Sequence, residues 1–310
     1  MTGRGELVRV AKLYYQAEMS QEEIASLLGT SRSRVSRMLS EARRQQIVRI
    51  HVCDFPSLAQ ELAEDLKKAF PLREVVVALP AEGESGKEAV GREAARLLRD
   101  TLQESLRIGI QWGSTVEARV NAYEGKSPFA GVELFQVTGG MHISDHILDG
   151  RELVKRLGRK MGAEYHLLQY PMVVNTPTLA RMILEDDSKE YFRQLDQLDM
   201  IVVGLGSDLP QESATYLGGY ITLEEATRLV KDGCGADICG HRLTQEGEPA
   251  ATLLSDRMIT ISLEQLRRIP IQVGVAAGVH KKQSIMAAIR GGYLNTLVVD
   301  DVAAMTLLSR

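Results

Sequence analysis

The sequence predicts an α/β chain in two parts. An N-terminal all-α helix-turn-helix domain over residues 1–53, ending in a short strand or wing, is joined to a larger doubly wound α/β domain over residues 54–310. Three observations carry this reading. Residues Ser20 to Leu39 fill nearly every constrained position of a helix-turn-helix. From Val75 onward, apolar strand-like runs alternate with helical patterns. The charge divides at the same place: residues 1–50 are +4 and the remainder −8, within a net charge of −4. A basic end on an acidic body confines a nucleic-acid surface to the first fifty residues.

The first part is argued residue by residue. Glu6 to Gln16 reads as a helix with Leu7, Val10, Leu13 and Tyr14 on one face. Ser20 is a natural N-cap, and Glu23 three residues on completes a capping box. Ile24, Ala25, Leu27 and Leu28 supply a buried stripe, with Ala25 small where a second helix crosses. Gly29 permits the left-handed backbone of a tight inter-helix turn. Thr30 or Ser31 caps the second helix, whose inward stripe is Val35, Met38 and Leu39.

Its outward face carries Ser31, Arg32, Ser33, Ser36 and Arg37, with Arg34 nearer the flank. Arginine bonds guanine O6 and N7 in a bidentate way, and serine serves bases or phosphates. Arg34 suits a phosphate better than a base edge. Ser31, Arg32, Ser33, Arg34, Ser36 and Arg37 are therefore the candidate DNA contacts. Ile47–Val52 alternates loosely as the strand or wing, and Arg43, Arg44 and Arg49 around it suit phosphates. Asp54-Phe55-Pro56-Ser57 starts the connector, and Leu58 to Phe70 forms an amphipathic helix for a dimer seam or for covering the larger domain.

In the second part, strand candidates are 74–79, 107–111, 132–137, 165–168, 200–204, 271–276 and 296–300. Helical patterns fall at 91–105, 115–123, 150–161, 178–184, 223–231, 281–290 and 302–308. The alternation implies a mostly parallel sheet with helices on both faces. No apolar run approaches the roughly 20 residues that span a bilayer, and no signal peptide is evident, so a cytoplasmic protein without a membrane partner is expected. Cys53, Cys234 and Cys239 are too few and too irregular for a disulfide framework and are read as structural.

Ligands of such folds sit beyond the C-terminal ends of the strands. Gly113, Ser114 and Thr115 open a helix after one strand, with backbone N–H groups and hydroxyls suited to a phosphate. Gly139 and Gly140 form a second glycine loop at a strand end, and residues 203–207 a third. Lys281 starts a helix, where the macrodipole disfavours a cation, which hints at an anion nearby; Lys282 beside it blurs the assignment. Asp237, in a glycine-flanked loop, suits the acceptance of sugar hydroxyls. His142 and His146, with Asp145 and Asp149 nearby, lack a placed third ligand, so no metal and no cofactor are expected.

Taken together, the helix-turn-helix, the Gly-x-x-Trp-Gly-Ser-Thr loop, the Gly-Ala-Asp-Ile-Cys-Gly segment and the C-terminal stretch from Gly278 through Lys281, Ile289–Tyr293 and Val299–Asp301 to Ala304 resemble the SorC-type bacterial transcriptional regulators. The likeness covers essentially the whole chain. It implies a sugar-binding domain related to sugar-phosphate isomerases and CoA transferases, used for sensing. It also implies a tetramer that rearranges on operator DNA when a phosphorylated sugar binds. By motif, Ser114 and Thr115 resemble the phosphate-holding hydroxyl pair, Asp237 the sugar-hydroxyl acceptor and Lys281 the phosphate-facing lysine. Trp112 stands where many members have a small residue, and Ala277 replaces a glycine. Phe135–Gly140 contains no lysine, which argues against a Schiff base there.

The expected function is therefore a transcriptional regulator, read as a repressor, whose operator affinity is set by a sugar or sugar phosphate. Two recognition helices of a homo-oligomer would meet successive major grooves about 34 Å apart. The alternative is an isomerase- or lactonase-like enzyme with a DNA-binding appendage, but no acid–base pair can be assembled on the glycine loops and no catalytic residue is nominated. A constitutive architectural DNA-binding protein would leave those loops and Lys281 unexplained.

Overall fold

The computed structural model describes residues 3–48, 56–140, 149–206, 209–210 and 213–309. The chain divides into two compact units, Met1–Asp54 and Phe55–Arg310.

In the first unit, α1 (Arg4–Tyr15), α2 (Gln21–Leu27) and α3 (Arg32–Arg44) enclose a small core of Leu7, Val10, Ala11, Ile24, Ala25, Val35, Met38, Leu39 and Ala42. The capping box forms as expected: the Ser20 amide donates to Glu23 Oε2 at 2.7 Å and the Glu23 amide to Ser20 Oγ at 3.3 Å. Gly29 has φ +59°, so the turn uses its left-handed freedom. Ser31, not Thr30, caps α3 by accepting from the Arg34 amide.

Leu27 departs from the expected stripe and is 56% exposed. The buried stripe of α2 is centred between Ile24 and Ala25, and at 100° per residue Leu27 lies about 110° from that centre. Leu28 takes its place, half-buried against the core. Ile47 and Val48 do not begin a strand. Gln46 adopts φ +55°, and the Gln46 and Ile47 amides return to the Arg43 and Ala42 carbonyls at 3.0 and 2.9 Å. This is a Schellman closure of α3, with glutamine in the position usually held by glycine. The rest of the strand or wing, residues 49–52 with Arg49, lies outside the described residues, as do Cys53 and Asp54-Phe55.

In the second unit, seven strands form a parallel sheet in the order β1-β9-β8-β5-β2-β3-β4. They are β1 (Glu74–Ala78), β2 (Arg107–Ile110), β3 (Glu133–Gln136), β4 (Glu164–His166), β5 (Met200–Gly204), β8 (Ile271–Ala276) and β9 (Thr296–Asp300). Side chains alternate between the two faces. Ile201, Val203, Leu297 and Val299 join one core with α4 (Pro56–Ala69), α13 (Lys282–Arg290) and α14 (Asp301–Leu308). Ile108, Ile110, Val202 and Val275 join the other with α5 (Gly86–Thr101), α6 (Ser114–Ala122) and α7 (Gly150–Met161). The helix read at Leu58–Phe70 is α4. Its Leu62 and Leu66 are buried in the first of these cores, so its apolar face covers the larger unit rather than standing open as a seam.

The strand order contains a topological switch point. From β2 the chain steps outward through β3 to the β4 edge. It then returns to β5 on the other side of β2 and steps through β8 to β9. The strand order reverses between β2 and β5, where neighbouring connections leave toward opposite faces and a crevice opens at the strands' C-terminal ends. Outside this sheet, β6 (Cys234–Ile238) and β7 (His241–Thr244) form an antiparallel hairpin. In chain order α8 (Pro177–Met182) and α9 (Lys189–Gln194) precede β5, α10 (Ala214–Leu217) and α11 (Leu223–Lys231) run between β5 and the hairpin, and α12 (Leu263–Arg268) follows it.

Candidate functional site

The DNA-facing candidates share one exposed side of α3. Ser31, Arg32, Ser33, Arg34, Ser36 and Arg37 are all exposed, while Val35, Met38 and Leu39 point into the core. Ser33 Oγ lies 3.3 Å from Ser31 Oγ, and Arg37 Nε donates to the Ser33 carbonyl at 3.3 Å. Arg32 pairs with Glu22 at 3.1 Å, both side chains mostly in water, so the pair yields readily to a base or phosphate. Arg44 differs: with Gln45 it is bonded to Glu41, whose carboxyl is held down to about 2 chiefly by Arg44. Arg44 is thus less available to DNA than Arg43.

The effector candidates gather at the C-terminal ends of adjacent strands. Gly113–Thr115 follows β2, Gly139–Gly140 follows β3, Gly206 follows β5 and Lys281 follows β8. These four strands are neighbours, so three spacings of about 4.8 Å put the loops within roughly 14 Å along the sheet edge. Gly113 is the N-cap of α6 at φ +135°, a conformation that favours glycine, and no side chain caps that helix. Thr115 is buried. Ser114 is exposed and borders a groove between α5 and α6 of mixed charge, with Glu84, Glu88 and Glu117 set among Lys87, Arg92 and Arg99.

Gly139 and Gly140 have their amides occupied. They donate to the Ile259 and Tyr170 carbonyls at 2.8 and 2.9 Å. A Cβ on Gly139 would lie 2.6 Å from the Pro171–Met172 backbone, so glycine there serves close chain packing rather than a free amide. Lys281 is the N-cap of α13, half-buried. Its neighbour separates cleanly, because Lys282 Nζ is committed to the Ser309 carbonyl at 2.7 Å.

Asp237 sits on β6 rather than in a loop. The Gly206 amide donates to its carbonyl at 2.9 Å, which brings the hairpin to the end of β5. Asp237 Oδ1 accepts from the Gly240 amide at 3.2 Å, whereas Oδ2 is buried without a hydrogen bond among the described residues and lies 3.5 Å from Arg242 Nε. Gln111 Oε1, Trp112 Nε1 and Thr138 Oγ1 are likewise buried and unbonded, at the ends of β2 and β3. Leaving a buried polar atom unbonded costs about 1–3 kcal/mol. Four such atoms lie on residues at or near the C-terminal ends of β2 and β3 and on the hairpin bridged to the end of β5. Gln111, Trp112 and Thr138 were not among the sequence candidates; the signal that could have singled them out is position, one or two residues beyond a strand's C-terminal end.

Around them the frame is well bonded. Thr260 Oγ1 donates to the Cys239 carbonyl at 2.8 Å, Ser284 Oγ to the Gly206 carbonyl at 2.7 Å, and Tyr191 Oη to the Gln136 carbonyl at 2.8 Å. His241 Nε2 donates to the Ile261 carbonyl at 2.8 Å, and burial holds this imidazole below its ordinary pKa. Cys234 and Cys239 are both buried, and burial pushes the Cys239 thiol up. Among the described residues no group of three metal-ligating side chains occurs; His142, Asp145 and His146 lie outside them, and Asp149 caps α7.

With this geometry established, comparison with known proteins is decisive. Residues 56–309 match the family model "Putative sugar-binding domain", and residues 7–61 match a Crp-like helix-turn-helix domain. The chain belongs to the SorC-type sugar-binding transcriptional regulators. It is 30% identical to the sorbitol operon regulator of Klebsiella pneumoniae over 97% of each chain. It is 28% identical to the deoxyribonucleoside regulator of Bacillus subtilis, over 97% of this chain and 96% of that one. The crystal structure of the full-length Klebsiella regulator superposes with a TM-score of 0.75 at 29% identity, covering 98% of both chains. This family member is thus a sugar-responsive, DNA-binding regulator and not an enzyme. Among the described residues, no helix is long and apolar enough to cross a membrane.

Proposed function

We propose that this regulator is a repressor whose operator affinity falls when a sugar phosphate enters the crevice between β2 and β5. The observation that carries the reading is the set of buried, unbonded polar atoms on Gln111, Trp112, Thr138 and Asp237 at the switch point. In this reading Asp237 Oδ2 accepts a sugar hydroxyl. The phosphate lies on the uncapped amides of Ser114 and Thr115, with Gly113 giving backbone access, the Thr115 hydroxyl beside it and Lys281 supplying charge. Gly139 and Gly140 hold the β3 end of the crevice through packing. Residues 1–53 bind DNA and residues 54–310 sense the effector and assemble the homo-oligomer, a tetramer, in the cytoplasm.

Energetically, the effector shifts the equilibrium between two arrangements of that assembly by its difference in affinity for them. A hundredfold loss of operator affinity needs about 2.7 kcal/mol of such difference. A thermal-shift screen against sugars and their phosphates tests the reading. A ligand at a hundred times its dissociation constant adds about 2.7 kcal/mol to the folded state. Stabilisation by phosphates over their parent sugars supports the cradle; stabilisation by free sugars alone overturns the phosphate role.

A further inference from the structure

A cavity of about 430 Å³ lies between α11, the segment from Thr215 to Ile221, the β6–β7 hairpin and Ala251–Leu254. None of the crevice residues named above lines it. It falls within the range of small-molecule sites, about 300–1,000 Å³. Its walls are apolar at Ile221, Leu229 and Leu254, and Leu253 at its margin is 71% exposed among the described residues.

One side of the cavity is the guanidinium of Arg242, whose side chain is 6% exposed. Arg242 Nη2 donates to Ser213 Oγ at 2.7 Å and to Thr215 Oγ1 at 2.9 Å, and Nε lies 3.5 Å from Asp237 Oδ2. Arg242 itself lines the cavity. The other charged residues lining the cavity are Glu225, Arg228 and Asp232. Arg228 pairs with Asp232 at 3.7 Å, and Glu225 closes the capping box of α11 with Thr222. The geometry leaves a buried, rigidly held cation donor facing an apolar chamber. Its hydrogen bonds go to neutral hydroxyls and its one ion pair to Asp237, and the guanidinium borders the cavity.

We propose that this cavity is a second ligand site, taking a small organic monoanion with an apolar body. The anion sits on Arg242 and the body against Ile221, Leu229 and Leu254, covering Leu253. Asp237 and Arg242 are register partners in the hairpin, so the two sites share a contact and their occupancies are coupled.

The probe is 1-anilinonaphthalene-8-sulfonate, an apolar ring system with one anionic group, titrated into the full chain by fluorescence. Saturable binding at one site per chain is expected. The uncharged analogue N-phenyl-1-naphthylamine should bind at least tenfold more weakly. Ala251→Trp, at an exposed lining position that leaves the core untouched, should fill the cavity and abolish the site. Arg242→Gln should weaken binding tenfold or more. Lys281→Ala, which impairs only the phosphate cradle, should leave it unchanged, so failure here and failure of the cradle are separable. Full binding in Ala251→Trp, or equal affinity for the uncharged analogue, overturns the proposal.

Discussion

Gly206 and Asp237 meet across an antiparallel bridge, the Gly206 amide donating to the Asp237 carbonyl at 2.9 Å. Through it the loop that ends β5 fixes where the hairpin presents its carboxylate. A Cβ on Gly206 would lie 2.7 Å from the Asp237 Cβ. Gly206→Ala should therefore push the carboxylate out of register at a cost of about 1–3 kcal/mol. The sugar-phosphate concentration for half-release of operator should rise at least tenfold, with operator affinity in the absence of effector unchanged. An unaltered half-release concentration would remove Asp237 from the effector site.

Arg32→Ala together with Arg37→Ala should abolish operator selectivity while leaving the melting temperature within a degree or two. Each bidentate arginine–guanine contact is worth about 1–3 kcal/mol of discrimination, whereas the exposed Arg32–Glu22 pair contributes little to the fold. Anisotropy titrations on specific and scrambled duplexes check this. Retained selectivity would remove the recognition-helix assignment.

The legible parts of the molecule were those where local pattern and tertiary role coincide. The inner sheet strands were readable because parallel strands buried on both faces are short apolar runs, whereas β4, a part-exposed edge strand, overlapped its expected span only at Tyr165–His166. The helix-turn-helix was readable because the Ser20–Glu23 capping box and Gly29 are local devices. The hairpin was not: Cys234–Ile238 contains Gly235 and Asp237, residues strands disfavour, and its pairing depends on bonds such as Thr244 to Glu248 and Gly206 to Asp237. The start of α5 at Gly86 was missed although Ser85 and Glu88 form a capping box, because Gly86 and Gly91 mask the helical signal. Gly91 is there for close packing, since a Cβ would lie 2.6 Å from Ala118. For the proposed crevice, Asp237 and Thr115 were nominated by residue type, whereas the unbonded atoms of Gln111, Trp112 and Thr138 emerge only once bonds are counted.

His241 gives the fold a pH dependence. Its folded pKa lies below the ordinary 6.5, chiefly because burial penalises the charged imidazole. Its contribution is fully present above the unfolded pKa and is lost as pH falls from there through the folded value, since the unfolded chain takes up the proton more readily. Between about pH 7.5 and pH 5.5 the melting temperature of the native chain should fall more than that of His241→Gln. Parallel curves would mean that this imidazole does not set the acid limb.

Arg119 on α6 is fully buried, and its three guanidinium nitrogens have no hydrogen-bond partner among the described residues. Desolvation pushes its pKa down to about 10. Replacing an uncompensated buried charge with an apolar side chain of similar length is neutral or stabilising, by about 1–4 kcal/mol where buried ions have been exchanged. Arg119→Met should therefore raise the denaturant midpoint. A fall of several kcal/mol would show that the guanidinium is compensated in the assembled protein.

The central claim is that a phosphorylated sugar in the β2–β5 crevice lowers operator affinity. Its most direct test is fluorescence anisotropy of a labelled duplex, selected by this protein from a random library, titrated with sugar phosphates in parallel for the native chain and Thr115→Val. Release of the duplex by a phosphate but not its parent sugar, with the half-release concentration raised at least tenfold in Thr115→Val, is the predicted result. Release by the parent sugar at equal concentration, or identical curves for the two proteins, would contradict the account.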